Sequence, residues 1–358
     1  MEGGSLLPHT AAPADRITAH SGANRPPAAR MSDAAPFPAR LAGVVPLAAY
    51  VVLRGLDATV LKGLQQLGAL HTVDGENPIS FCNVFFVATL VVGLAALPAG
   101  GGRLGHDLGD LDGRQRTLLG LFGGLGLFLG PIASYLALQS LTVVSHTLLF
   151  SLVLPASALL ARGLLAEPLP PGFPSSVALI GAGLLLPALE RMGTGPSSGG
   201  PTLSATGVAW ALAGVAAFAG AGVCGRAVAR YGWSPALSIG LPALASALAF
   251  GLWALVLFGP GHFFLLQLWW VVGVIGIYAV TLGLGREVSL RRAYRRCGVA
   301  MVSLWGSLAI VVATVSAVML LGERIGAATV AGLALVLIGT LRSPLAMRSD
   351  ATLRGYTP

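Results

Sequence analysis

The sequence predicts an all-α integral membrane protein of about ten transmembrane helices, arranged as two inverted five-helix repeats. Three observations carry this expectation. The 358 residues are 55% hydrophobic and only 10% charged, with a mean hydropathy of +0.79, too apolar for the surface of a soluble domain. The apolar residues fall into runs long enough to cross a hydrocarbon core, which takes roughly 17 to 25 helical residues. Finally, the chain resembles itself when shifted by 156 residues.

In order, residues 1–40 are rich in Ala, Pro, Arg, Ser and Gly, and read as a disordered N-terminal extension that cannot bury a core. A basic, acid-poor stretch of this kind resembles a transit peptide, but its prolines argue against an amphipathic helix, and Met31 is an equally good start. The first five-helix unit, 41–190, holds apolar runs at 42–63, 78–98, 117–138, 142–163 and 172–190. A linker at 191–204 leads to the second unit, 205–343, with runs at 205–228, 235–258, 266–291, 297–321 and 326–342; residues 344–358 form a tail. Glycines inside the runs, as in GGLGLFLG (123–130), read as close helix packing. No phosphate-loop motif occurs and the three cysteines lack metal-site spacing, so no cofactor and no metal is expected.

Charge orients the runs. With both termini inside, seventeen arginines fall in cytoplasmic segments, and only Arg191 and Arg324 fall outside. This is the positive-inside pattern of a plasma (inner) membrane protein. The formal charge of +8 therefore reports loop bias, and nucleic acid is excluded as a partner because no polar face concentrates it.

The 156-residue shift lays YLALQSLTVVSHTLLFSLVLP (135–155) on RRAYRRCGVAMVSLWGSLAIV (291–311), with Ala137 on Ala293, Ser151-Leu152 on Ser307-Leu308, and Glu167 on Glu323. Nearby, LKGLQQLG (61–68) matches GRAVARYG (225–232), which pairs Lys62 with Arg226. An odd number of spans per repeat turns the second copy upside down, the plan of many secondary transporters. The alignment places a tight turn at Arg295–Gly298.

The segments LALQSLTVVSHTLLFSLVLPASALLARGLLAEPL (136–169) and AYRRCGVAMVSLWGSLAIVVATVSAVMLLGERIGAATVAGLALVLIG (293–339) each read as a short turn, an apolar helix, a terminal Glu and a following helix. In this they resemble the drug/metabolite transporter superfamily, EamA-type, over about 41–342. Ala166-Glu167 stands where that family usually has Gly-Glu. The resemblance implies a carrier, not an enzyme, working by alternating access around a cavity lined mainly by helices 1, 3, 4, 6, 8 and 9. The partners expected are a small polar substrate and the lipid bilayer, with a homodimer open.

The candidate substrate-binding residues are Arg54, Asp57, Arg286, Glu287 and His146. Arg54 lies roughly 18 Å past the start of the first run, near the midplane of a core about 30 Å thick. Asp57, three residues on, shares its helical face; the two read either as handling substrate or ions directly or as a structural ion pair. Charges at that depth cost about 2.5–3.5 kcal/mol each and belong in a wet interior. In GREVSLRRAYRRCG (285–298), Arg286 and Glu287 lie deepest, Glu287 is set to pair with Arg291 at i, i+4, and Arg295 and Arg296 act as topology signals. His146 opens the fourth run as either a hydrogen-bonded histidine or a proton relay. Lys62 reads as an interfacial snorkeller, and Glu167 and Glu323 as interfacial ends of their helices. Nucleotide-sugar or sugar-phosphate antiport remains an alternative within the fold, although only Arg324 supplies charge on the last two runs. An integral-membrane lipid-headgroup transferase is the alternative from another class; it would need clustered acids or a His-Asp constellation.

Overall fold

The computed structural model describes residues 37–354 apart from 74, 101, 103, 167, 168, 170, 171 and 195–203. The expected disordered extension therefore lies almost wholly outside the described residues, as does Glu167. The described chain is helical, with one isolated bridge between Val73 and Glu76 and no strand among the described residues. Among the described residues, seven helices are long and apolar enough to cross a membrane: 44–70, 81–100, 113–140, 143–165, 205–228, 236–258 and 269–293. Three shorter apolar helices, at 173–189, 309–321 and 327–342, accompany them.

Helix α1 (Phe37–Leu70) runs two turns beyond the expected 42–63. Helix α2 (Phe81–Ala96) starts where the Ser80 side chain accepts from the Asn83 amide. A short α3 (Leu104–Gly109) precedes α4 (Gly113–Gly123), which opens on an Asp112/Gln115 capping box. A π-helical turn at Gly124–Leu129 joins α4 to α5 (Gly130–Ser140). Pro131 follows that turn, and its missing N–H and bulky ring favour a widened turn over a regular one. The same arrangement recurs at Ala236–Gly240, ahead of Pro242.

The expected run 142–163 is not one helix. It divides into α6 (Val143–Phe150) and α7 (Val153–Leu165) at Ser151-Leu152, where the Ser151 hydroxyl donates to the Leu148 carbonyl. Such local bonding competes with the regular ladder. Then come α8 (Phe173–Thr194), α9 (Ala205–Arg230), α10 (Leu241–Phe258), α11 (Trp269–Tyr278), a π-helical turn at Ala279–Gly285, α12 (Arg286–Gly306), α13 (Ala309–Leu321) and α14 (Ala327–Arg354).

Around the turn expected at Arg295–Gly298 the chain reverses direction, with helical backbone assigned throughout α12. Arg286 bonds Asp57, while Ala293 and Val302 share one cluster with Leu47, Tyr50 and Val51, and Gly306 lies beside the Tyr50 ring. A straight helix would separate residues 286 and 306 by roughly 30 Å, yet Asp57 and Tyr50 are only about 10 Å apart along α1. The chain therefore doubles back between Ala293 and Val302. From there α13 runs parallel to α1, with Val312 against Gly55, the Ser316 hydroxyl 2.7 Å from that of Thr59, and Leu321 near Gly63.

An aromatic core of Phe85, Phe128, Tyr135 and Phe250 joins α2, α5 and α10. Helices α8 and α14 touch backbone to backbone, because a Cβ on Gly183 would meet the Gly332 carbonyl at 2.5 Å. Small residues permit that approach. At the Leu70 end of the bundle, buried His262 links the two halves: its Nε2 lies 2.8 Å from Ser80 Oγ and its Nδ1 2.8 Å from Glu76 Oε2.

Candidate functional site

The deep charges gather where α1 meets the π-helical turn and the start of α12. The Arg286 guanidinium donates to Asp57 Oδ2 at 2.7 Å, and the Tyr278 hydroxyl donates to Oδ1 at 2.9 Å, so both carboxylate oxygens are held from across the helix interface. The side chains remain 28% (Asp57) and 37% (Arg286) exposed, which leaves room for water or a ligand. Tyr278 ends α11 and Arg286 begins α12 eight residues on, so a single segment presents both donors to Asp57.

The ion pair of Arg54 with Asp57 does not form. Helical side chains lean toward the N-terminus, so Arg54 reaches back a turn and donates to Tyr50 Oη at 3.2 Å. Asp57, too short to follow, takes its partners from α11 and α12. Among the described residues no carboxylate lies within ion-pair distance of Arg54.

Arg54 is exposed, yet on the same helical stripe Tyr50 is 7% and Leu61 4% exposed. The exposure at Arg54 is therefore local, flanked along the helix by buried side chains. Formally the cluster Arg54, Asp57 and Arg286 carries one positive charge in excess.

Glu287 pairs with Arg291 as the spacing predicts, at 3.2 Å. His146 is not brought to the cluster. It is buried on α6, with Nε2 2.9 Å from Ser134 Oγ and its ring stacked on Phe150. Lys62 is not a snorkeller: it turns inward, half-buried, and donates to the Leu138 and Leu141 carbonyls. Glu323 accepts from the backbone amides of Val143 at 2.6 Å and Val144 at 3.1 Å. Sequence reasoning missed Tyr50 and Tyr278; Tyr50, one turn before Arg54, was readable, since a buried tyrosine hydroxyl needs a polar partner, whereas Tyr278 lies eight residues from its nearest charge, Arg286. Beside the cluster, an apolar cleft of about 360 Å³ runs between α1 and α11, lined by Leu53, Leu56, Val60, Leu64 and Val274, among others. The described residues hold no group of acids, histidines and cysteines fit for a metal.

No family model and no curated protein matches the chain. A solved chain described as "Crystal structure of protein" superposes with a TM-score of 0.52 at 18% sequence identity, covering 87% of this chain and 99% of its own. At that identity the likeness is one of fold alone, and it extends over nearly the whole of that molecule.

Proposed function

We propose that the protein is a secondary transporter of the EamA-type drug/metabolite kind, moving a small anionic or zwitterionic metabolite by alternating access. On this reading ten spans form two inverted five-helix repeats in a plasma (inner) membrane, with both termini cytoplasmic. Several correspondences 155 or 156 residues apart support the repeat. The π-helical turns begin at Gly124 and Ala279, the helix breaks fall at Ser151 and Ser307, and the left-handed caps are Ala166 and Gly322. Helix packing follows the same shift: Gly183 meets Gly332 and Val336, and Gly339 meets Ser176 and Ile180. That reciprocity is what a pseudo-two-fold axis between the halves would produce.

The observation that carries the substrate class is Arg54, exposed in mid-helix with no acid within ion-pair distance among the described residues, while Asp57 is occupied by Arg286 and Tyr278. An intramembrane cation without a fixed counter-ion favours an anionic group from the substrate. Uptake into proteoliposomes from a panel of amino acids, sugar phosphates and amines tests this. The expected result is transport of an anionic or zwitterionic member, lowered at least tenfold by Arg54→Gln, equivalent to about 1.4 kcal/mol. Transport of none of them, together with product formation from a lipid precursor, would overturn the reading.

A further inference from the structure

We infer that Lys62 and Glu323 form a latch that closes the substrate recess at the Leu70 end by clamping the turn between α5 and α6; this rests on the transport reading above. The turn presents helix-terminal groups from both sides. At the end of α5 the Leu138 and Leu141 carbonyls accept from Lys62 Nζ. At the start of α6 the Val143 and Val144 amides donate to the two oxygens of Glu323, and the next amide, Ser145, is satisfied locally by the Thr142 side chain. Carbonyls at a helix C-terminus attract a cation and amides at an N-terminus an anion, so each charge sits at the end of opposite sign.

The clamping residues come from two elements that are packed together permanently. Helices α1 and α13 interlock through Gly55 and Val312 and through the hydroxyls of Thr59 and Ser316. Around the α5–α6 turn, apolar packing of Leu61 and Leu64 with Leu138 and Val143 is joined by these charged contacts, extended by Gln65 Nε2 donating to the Tyr135 carbonyl at 2.8 Å. Helix-terminal groups released from the charged contacts can be taken up by water, so these contacts can open at lower cost than the backbone-close glycine joint. Lys62 lies five residues beyond Asp57, roughly 8 Å nearer the Leu70 end along α1, and faces α5 while Asp57 faces α11 and α12. The repeat pairs Lys62 with Arg226 and Glu323 with Glu167, which supplies the same two charge types for the opposite end.

The experiment reads access to the recess rather than transport. Arg54→Cys is placed in a background carrying C82A, C224A and C297A, and labelled from the outside of intact cells with a membrane-impermeant maleimide. Combining it with Lys62→Gln and Glu323→Gln should raise the labelling rate at least tenfold, whereas Lys62→Arg, which keeps the donors, should label at the parental rate. An unchanged rate in the doubly neutralised protein, with parental abundance and melting temperature, overturns the latch. Should that protein fail to fold, Glu323→Gln alone is read in the same way, with at least a threefold rise expected and an unchanged rate refuting. Failure of permeant and impermeant reagents alike to reach Arg54→Cys from either side would overturn the recess, and the transport reading with it.

Discussion

Neutralising the Asp57–Arg286 pair one residue at a time should cost more than neutralising both. With nitrogen and oxygen 2.7 Å apart, the charge centres are about 4 Å apart, an attraction of about 4 kcal/mol at an effective dielectric of 20. Removing one member of a fully buried pair costs about 3–5 kcal/mol, because the other charge is left uncompensated. Here each side chain keeps about a third of its exposure, so water screens part of that penalty. A loss of about 1.5–3 kcal/mol is expected for Asp57→Asn or Arg286→Gln alone. The double variant removes the unpaired charge and should recover part of the loss, giving a coupling of about 1–2 kcal/mol. The measurement is a double-mutant cycle from denaturant melts of the purified protein in detergent, with Tyr278→Phe as a third arm expected to cost about 1 kcal/mol for its lost hydrogen bond. Single losses that sum to the double within about 0.5 kcal/mol would refute the pairing, since that is the additivity of independent sites.

Three other outcomes are expected. Ala166 has φ of 52°, a left-handed conformation in which a Cβ costs roughly 1–2 kcal/mol; Ala166→Gly should therefore raise the melting temperature, and a fall would contradict that backbone strain. On α8, Gly183→Ala should destabilise by about 2 kcal/mol or more, because its Cβ would strike the Gly332 carbonyl, while Gly181→Ala, with nothing within 4 Å, should be neutral or mildly stabilising. Reporter fusions after Arg116 and Arg230 should report the cytoplasm and one after Glu76 the outside; the reverse at any of the three sites breaks the proposed orientation.

What could be read from the sequence depended on how far apart the interacting groups lie along the chain. The apolar runs, the Ser80 and Asp112 caps and the Glu287–Arg291 pair are set by residues within about four positions of one another, and helical spacing alone predicts such contacts. Arg54 and Asp57 show where that reasoning stops. Spacing put them on one face, and they do share it, but the face is crossed by a chain segment more than two hundred residues away. Arg286 offers Asp57 a shorter, straighter contact than its neighbour can. Lys62 failed for the same reason: snorkelling assumes lipid around the stem, and the carbonyls that draw the ammonium inward belong to α5.

The repeat could have narrowed this gap. A shift of 156 residues states which segments correspond, and the proposed inverted repeat would require contacts in reciprocal pairs. Gly183 on Val336 then demands Gly339 on Ile180, and both occur. The departures from the repeat therefore locate what each half does differently. Leu141-Thr142 overlays Cys297-Gly298; the first pair is a non-helical turn held by Lys62 and Glu323, whereas the second keeps helical backbone through its reversal. On the proposed transport reading, such a difference between the two ends is what alternating access needs, and the proposed latch at the Leu70 end would account for the closed side.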